Sequence, residues 1–485
     1  MKYAPIAVFA ALFISVPLSA AAAGKDEIAQ IRARLEQIKN LYEQRIATLE
    51  ERLARAEKRA EEAVESSRSS RALPRVVSAA APEPAEPARQ MAQRPVSQAL
   101  SRSPGAFNPE ISLILSGNYT RLSKNPDERR FQGLMPSGGE RLPETRSFNL
   151  GESELSLSAN IDPFFRGNFR LAIAPDNSVG IEEANIQTLG LGNGLNLKAG
   201  RFLSGVGYLN EHHPHEWDFS DAPLPYQAFF GNSLGMDGVQ ARWLAPSDTF
   251  IEFGLETARA RSFPATDETR DKNGAISGAA FAHVGGDVGA SNSWRAGVSY
   301  FAARPRERGY EDSVSGTMNS FSGRSRTWIA DFIWKWAPNG NSRYRNLKIQ
   351  GEYFSRPEKG TLTYDLDSVA GGTQSDRYKN RSSGFYAQAV YQFMPKWRVG
   401  YRYDQLASGN ASIGLVKSGA LTMDDLPLLR RYRPKRSTLM LDWSPSEFSR
   451  VRLQFARDRT RPETTDNQLW IQYIMSMGAH GAHKF

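Results

Sequence analysis

Residues 210–219, NEHHPHEWDF, hold three of the chain's six histidines within four positions. His212, His213 and His215 sit beside Glu216 and Asp218. Imidazole and carboxylate are zinc ligands, and with no cysteine in the chain they are the strong ones available. Adjacent side chains in an extended segment point apart, so His213 and His215 can share one ion and His212 joins them less easily. A transient Zn2+ contact and a metal-free, hydrogen-bonded polar loop both fit this composition. No Ser/His/Asp spacing stands out, and HExxH and a glycine-rich phosphate loop are missing from the sequence. The chain therefore reads as a non-enzyme that requires no cofactor.

Any such loop has to be carried by the elements on either side, and those follow a period of two. FNLGESELSLSANI (148–161) sets Leu155, Leu157, Ala159 and Ile161 against Glu154, Ser156, Ser158 and Asn160. RTWIADFIWKW (326–336) and GFYAQAVYQF (384–393) alternate in the same way. Sixteen such segments are expected: 110–120, 148–161, 166–175, 180–190, 194–203, 236–245, 249–259, 277–287, 293–303, 326–337, 346–356, 383–394, 396–406, 435–445, 449–459 and 467–485. Their connections alternate long and short, with the second and last of the long side brief. Strands of about 10 residues, tight turns at one end and long loops at the other define an all-β, 16-stranded antiparallel transmembrane β-barrel. Eight of the nine tryptophans fall in or beside these strands, as interfacial girdles require.

Parity then assigns an inward face. Its basic residues include Arg242, Arg295, Lys335, Arg398, Arg402, Arg450 and Arg452, together with Arg170, Lys198 and Lys348. Its acidic residues include Glu252, Glu256 and Asp331, together with Glu152, Glu154, Glu183, Glu352, Asp404, Asp442 and Asp458. An anion channel calls for an excess of positive lining. This lumen is balanced, and its charges either face the solute or pair across strands and stiffen the wall.

The segment ahead of the barrel has three parts. Residues 1–23 read as a signal peptide: Lys2, an apolar run over 6–19 and small residues around Ala23. Residues 24–65 read as a coiled-coil helix about 60 Å long, with apolar positions from Ile28 to Ala63 spaced by threes and fours. Residues 66–108, opened by SSRSSR and punctuated by six prolines, read as a disordered linker before the barrel at 109–485. The net charge of +9 is not assigned to nucleic acid, because the signal peptide directs the chain out of the cytoplasm.

The coiled coil, linker and sixteen-strand layout resemble the phosphate-selective porin O/P superfamily of outer-membrane channels. GLNLKAGRFLSGVGYLNEHHPHEWDFSDAPLPYQAFFGN (194–232), GMDGVQARWLAP (235–246) and the ending GAHGAHKF (478–485) resemble a subgroup described as zinc-regulated or as TonB-dependent receptors. Such receptors carry a folded plug and a larger barrel, which this layout does not match. The resemblance implies a homotrimer in outer-membrane lipid, inserted by barrel-assembly machinery that reads the terminal Phe485. It also implies a periplasmic coiled coil and a loop at 204–235 folded inward as the constriction. Passive passage of small hydrophilic solutes or ions is expected, zinc among them. The alternatives are an anion or phosphate porin, or a tether contacting the cell wall through the coiled coil.

Overall fold

In the computed structural model the described residues are 109–137, 145–174, 178–260, 263–265 and 273–478. The signal peptide, coiled coil, linker, His480, His483 and Phe485 lie outside them. One antiparallel sheet contains every strand of the described residues. Three short strands, Ser147–Leu150, Arg308–Glu311 and Ser412–Ile413, are additions to its rim, and the other sixteen are the staves. These are β1 (Glu110–Leu122), β2 (Ser153–Asn160), β3 (Phe165–Ile173), β4 (Val179–Thr188), β5 (Leu195–Leu203), β6 (Gly235–Leu244), β7 (Phe250–Ala260) and β8 (Ser277–Val288). The second half comprises β9 (Asn292–Ala303), β10 (Met318–Trp336), β11 (Asn346–Tyr364), β12 (Gln374–Met394), β13 (Trp397–Ala407), β14 (Lys435–Ser446), β15 (Ser449–Arg459) and β16 (Asp466–Gly478).

Each strand pairs with its sequence neighbour, and β1 closes on β16 in register from Ser112↔Gly478 to Leu122↔Gln468. Closure leaves no strand edge for another chain or for lipid to meet unpaired. All sixteen expected strands are present, including the glycine-rich β8. The expected strand 148–161 is interrupted at 151–152 by a one-residue slip in its register against β1 (Gly117↔Leu150, then Ile114↔Glu154), where Gly151 packs directly on Ser116. The larger departure is in β10, β11 and β12, which run 19, 19 and 21 residues. Stretches expected as loops, such as 318–325 and 357–364, continue the ladder instead (Ser320↔Thr363, Lys359↔Lys379).

The alternation fixes inside and outside. Leu439, Leu453, Phe455, Ile471 and Tyr473 face outward on neighbouring strands, while Thr438, Arg452, Gln454 and Gln472 between them are buried. An apolar exterior over a polar interior is the pattern of a barrel solvated by lipid. Trp397 and Trp443 stack with centroids 6.0 Å apart beside the tight turns, as an interfacial pair should. Trp470 departs from the girdle expectation: it has inward parity and is buried. No helix among the described residues is long and apolar enough to cross a membrane, which leaves the strands to do so.

At the long-loop end a second apolar cluster gathers Met135, Tyr310, Phe321, Leu362, Tyr378, Ile413, Leu421, Leu426, Leu428 and Leu429. The loops over that end are therefore packed against one another.

Candidate functional site

The connection 204–234 folds into the barrel. Residues Trp217, Phe219, Tyr226, Phe229 and Phe230 are buried against the inner wall, as their composition leads one to expect. Tyr226 meets Phe354 edge-on at 5.1 Å, and Phe229 stacks on Phe354 at 5.8 Å. Pro214 opens a single 3-10 turn (Pro214–Glu216), whose Glu216 carboxylate accepts the His213 backbone N–H at 3.2 Å. Pro225 lies in the first turn of helix α1 (Leu224–Phe230), which ends on Gly231 at φ +64°, the left-handed position glycine accepts without strain.

Two buried carboxylates hold the start of the loop. Glu256 accepts from the Ser204 hydroxyl at 2.5 Å and the Gly205 N–H at 2.8 Å. Glu352 accepts from the N–H groups of Tyr208 and Leu209 and the hydroxyls of Tyr226 and Tyr386, at 3.2, 3.0, 2.8 and 2.7 Å. Asn210 ties the ends together by donating to Ser204 O and Leu234 O and accepting the Leu234 N–H. On the far wall Asp221 lies between Arg402 (2.9 Å) and Arg436 (2.5 Å), and Asp404 accepts the Leu224 N–H that opens α1. Burial pushes the Asp221 carboxyl up, but Arg436 and Arg402 outweigh it and hold it at about 2.

The five residues of the histidine stretch divide among three places. His212 pairs with Glu216 at 3.4 Å at the loop surface. Burial pushes the Glu216 carboxyl up, but His212 and the other imidazoles hold it well below the usual range. Asp218 turns away, to Lys348 and to Arg398 (3.2 Å). His213 and His215 stack at 6.0 Å and face glutamates of the wall. His213 Nδ1 lies 2.9 Å from Glu182 and 3.3 Å from Glu154, its Nε2 lies 3.6 Å from Glu183, and His215 Nδ1 lies 3.5 Å from Glu154. Burial alone disfavours a charged imidazole, but Glu182 and Glu183 outweigh it and push His213 up to about 10.

Glu182 is the residue that strand parity misses. The β3–β4 register slips between Arg170↔Glu183 and Leu171↔Ile181, leaving Glu182 as the extra residue of a bulge. Glu182 and Glu183 therefore both reach His213, although neighbours in a regular strand face opposite ways. His283 is a second residue the sequence did not single out: it is buried on β8 with Nδ1 3.0 Å from Glu252.

The inward residues expected from parity all face the interior, and most meet a partner there. Arg242 pairs with Glu211 of the loop and with Glu252, and Arg295 reaches Gly207 O and Asp331. Arg452 grips Asp442 at 2.8 Å and donates to Trp217 O, and Arg450 donates to His215 O. Arg398 joins Asp218 to Asp442, and Lys335 lies on the same face near Lys348 and Asp218. Arg402, Arg436 and Arg452 are at most 1% exposed, so they anchor the loop.

Below the loop, at the tight-turn end, a cavity of about 900 Å³ remains. Its lining includes Lys348, Arg398 and Arg450 on β11, β13 and β15, Glu110 and Glu154 on β1 and β2, and Glu211, His212, His215 and Glu216 of the loop. The whole is a transmembrane β-barrel of sixteen strands with an inward-folded loop over a charged vestibule.

The chain belongs to the same family as a protein of Aquifex aeolicus (strain VF5) described as an uncharacterized protein, with 32% identity over 403 residues, covering 78% of this chain and 80% of the relative. No family model matches. Among solved structures, OmpT, an outer membrane protein of Vibrio cholerae in its trimer form, is 10% identical, with a TM-score of 0.47 over 77% of this chain and 100% of its own. The outer membrane channel DcaP of Acinetobacter baumannii is 11% identical, with a TM-score of 0.47 over 78% of this chain and 99% of its own. An anion-selective porin from Comamonas acidovorans is 11% identical, with a TM-score of 0.43 over 77% and 100%.

Proposed function

We propose that the protein is a passive outer-membrane channel for small hydrophilic solutes and ions. The observation that carries this reading is the polar, charged vestibule of about 900 Å³ inside a closed barrel, beneath the inward-folded loop. Side chains of both signs line it, which suits hydrated ions and zwitterions, and the imidazole and carboxylate donors suit zinc or a zinc complex as cargo. The wall β2–β4, with Phe165, Val179 and Ile186 exposed outside, supports a homotrimer built on that side. Planar-bilayer recording of the purified protein is expected to give small, stepwise currents. A membrane that stays silent after insertion has been verified removes the channel.

An anion or phosphate preference is the second reading, favoured by Lys348, Arg398 and Arg450 on alternate strands of the vestibule wall. A salt gradient decides it: the reversal potential shifts toward the anion's if this reading holds, and lies near zero if the lining acts as balanced.

A further inference from the structure

We propose that His213, Glu154 and Glu182, with His215 as fourth donor, form a binding site for a divalent transition-metal ion that clasps the loop to the β2–β4 wall. One ligand atom from each of His213, Glu154 and Glu182 lies within 4.8 Å of the other two. In a tetrahedral site with bonds of about 2.0 to 2.1 Å, neighbouring ligand atoms stand about 3.3 Å apart. The separations from His213 Nδ1 to Glu182 and Glu154, 2.9 and 3.3 Å, and from His215 Nδ1 to Glu154, 3.5 Å, bracket that value. An ion needs these groups to move by a few tenths of an ångström.

An independent observation points at the same spot. Glu154 is 3% exposed, and its Oε2, the atom facing both imidazoles, accepts no hydrogen bond among the described residues. His213 meets this oxygen at 3.3 Å as an ion pair without a hydrogen bond, and a buried carboxylate oxygen so weakly held is better satisfied by a directly bound cation. Its other oxygen is already held, by the Ser156 hydroxyl at 2.5 Å and Arg170 at 3.6 Å, which fixes the direction Oε2 points. The second nitrogen of His213 faces Glu183, the arrangement by which carboxylates orient metal-binding imidazoles. The β4 bulge is what brings Glu182 inward beside Glu183, so the donor set depends on an irregularity of the strand.

Nitrogen with carboxylate oxygen selects Zn2+ and its first-row neighbours over Mg2+ or Ca2+, which prefer all-oxygen shells. The site differs from a passing contact of permeating ions because its ligands come from two barrel strands and the loop. A bound ion therefore holds the loop in place.

The test is calorimetric titration of the full chain in detergent with Zn2+, Mn2+ and Mg2+ at about pH 8, since binding releases the imidazole proton. The background is a chain with His480→Ala and His483→Ala, which removes histidines outside the described residues. One equivalent of Zn2+ is expected, with Mg2+ at least about tenfold weaker. E154Q and E182Q, which keep size and shape, are expected to weaken Zn2+ about tenfold or more, while H212A leaves it unchanged. Zn2+ is also expected to raise the heat-unfolding temperature of the background chain but not of E154Q. Should E154Q fail to fold, E182Q carries the test, because Glu182 is partly exposed. Absence of Zn2+ binding, or binding indifferent to E154Q and E182Q, overturns the site and leaves only a proton-bearing imidazole among carboxylates. Binding is read without any current, so its failure and the failure of the channel are separate results.

Discussion

At the scale of single residues, the interior is held by charges that cannot be removed one at a time. Arg436 serves Asp221 and Asp404 at once, with all three buried. Truncating Arg436 to Ala leaves those carboxylates in a dry setting with less compensation. A loss of about 3 to 5 kcal/mol is expected, read as a lower unfolding midpoint in denaturant. Asp221 gives a pH signature as well. Its folded value of about 2 lies below the ordinary 3.8, so its contribution is complete above about pH 4 and is lost as pH falls toward 2. Melting temperature measured against pH is expected to drop over that window in the native chain and to drop less in Asp221→Asn. Sequence parity found most of these charges, because strand alternation is a strict geometric rule. It missed Glu182 because a bulge is a slip between strands, and the residues IEEANI look the same with or without it.

At the scale of elements, the loop was legible and its seating was not. Aromatic residues and prolines in a long connection announce a rigid, buried segment, and 204–234 is one. What the pattern did not reveal is that Asp218 leaves its neighbours for Lys348, since that depends on how the chain turns after Pro214. The seating has a weak tolerance at Gly207, with φ +69°, where a Cβ would stand 2.3 Å from Glu352 Oε2 and 2.8 Å from the Tyr226 hydroxyl. Gly207→Ala is expected to dislodge Glu352 from the loop, lowering stability by about 1 kcal/mol or more and enlarging single-channel steps. Bilayer recording beside a thermal melt checks both; unchanged currents would show that this hub does not set the passage. The apolar packing over the long-loop end also had a signal, the leucines at 421, 426, 428 and 429, hidden by lying in a segment read as loop.

For the molecule as a whole, strand number, order and closure were readable because each of sixteen segments repeats one alternation and errors do not accumulate. The lengths of β10–β12 were not, since a polar hairpin standing in water has no need of an apolar face. The lipid-facing band predicts that Leu255→Arg, at a residue 66% exposed on β7, costs about 2 to 4 kcal/mol if it lies near the bilayer midplane. Folding titrations into vesicles measure it. Because β1 closes directly on β16, a chain beginning at residue 109 is expected to insert and conduct like the full chain. A tether, by contrast, loses its cell-envelope phenotype on that deletion.

The three overlong strands give the rim a lopsided profile. Nineteen residues at about 3.3 Å each, tilted about 45°, rise about 44 Å, against an apolar band of about 25 Å. On the opposite side, β2–β4 have 8 to 10 residues and rise about half as far. The strands of the barrel therefore form a parapet along one flank and a low sill along the other. In the proposed homotrimer the sill faces the partner copies and the parapet stands on the outer flank, so bulky molecules such as antibodies or bacteriophage tails arriving from the side are expected to meet the parapet first. The direction of approach becomes a filter separate from the width of the opening.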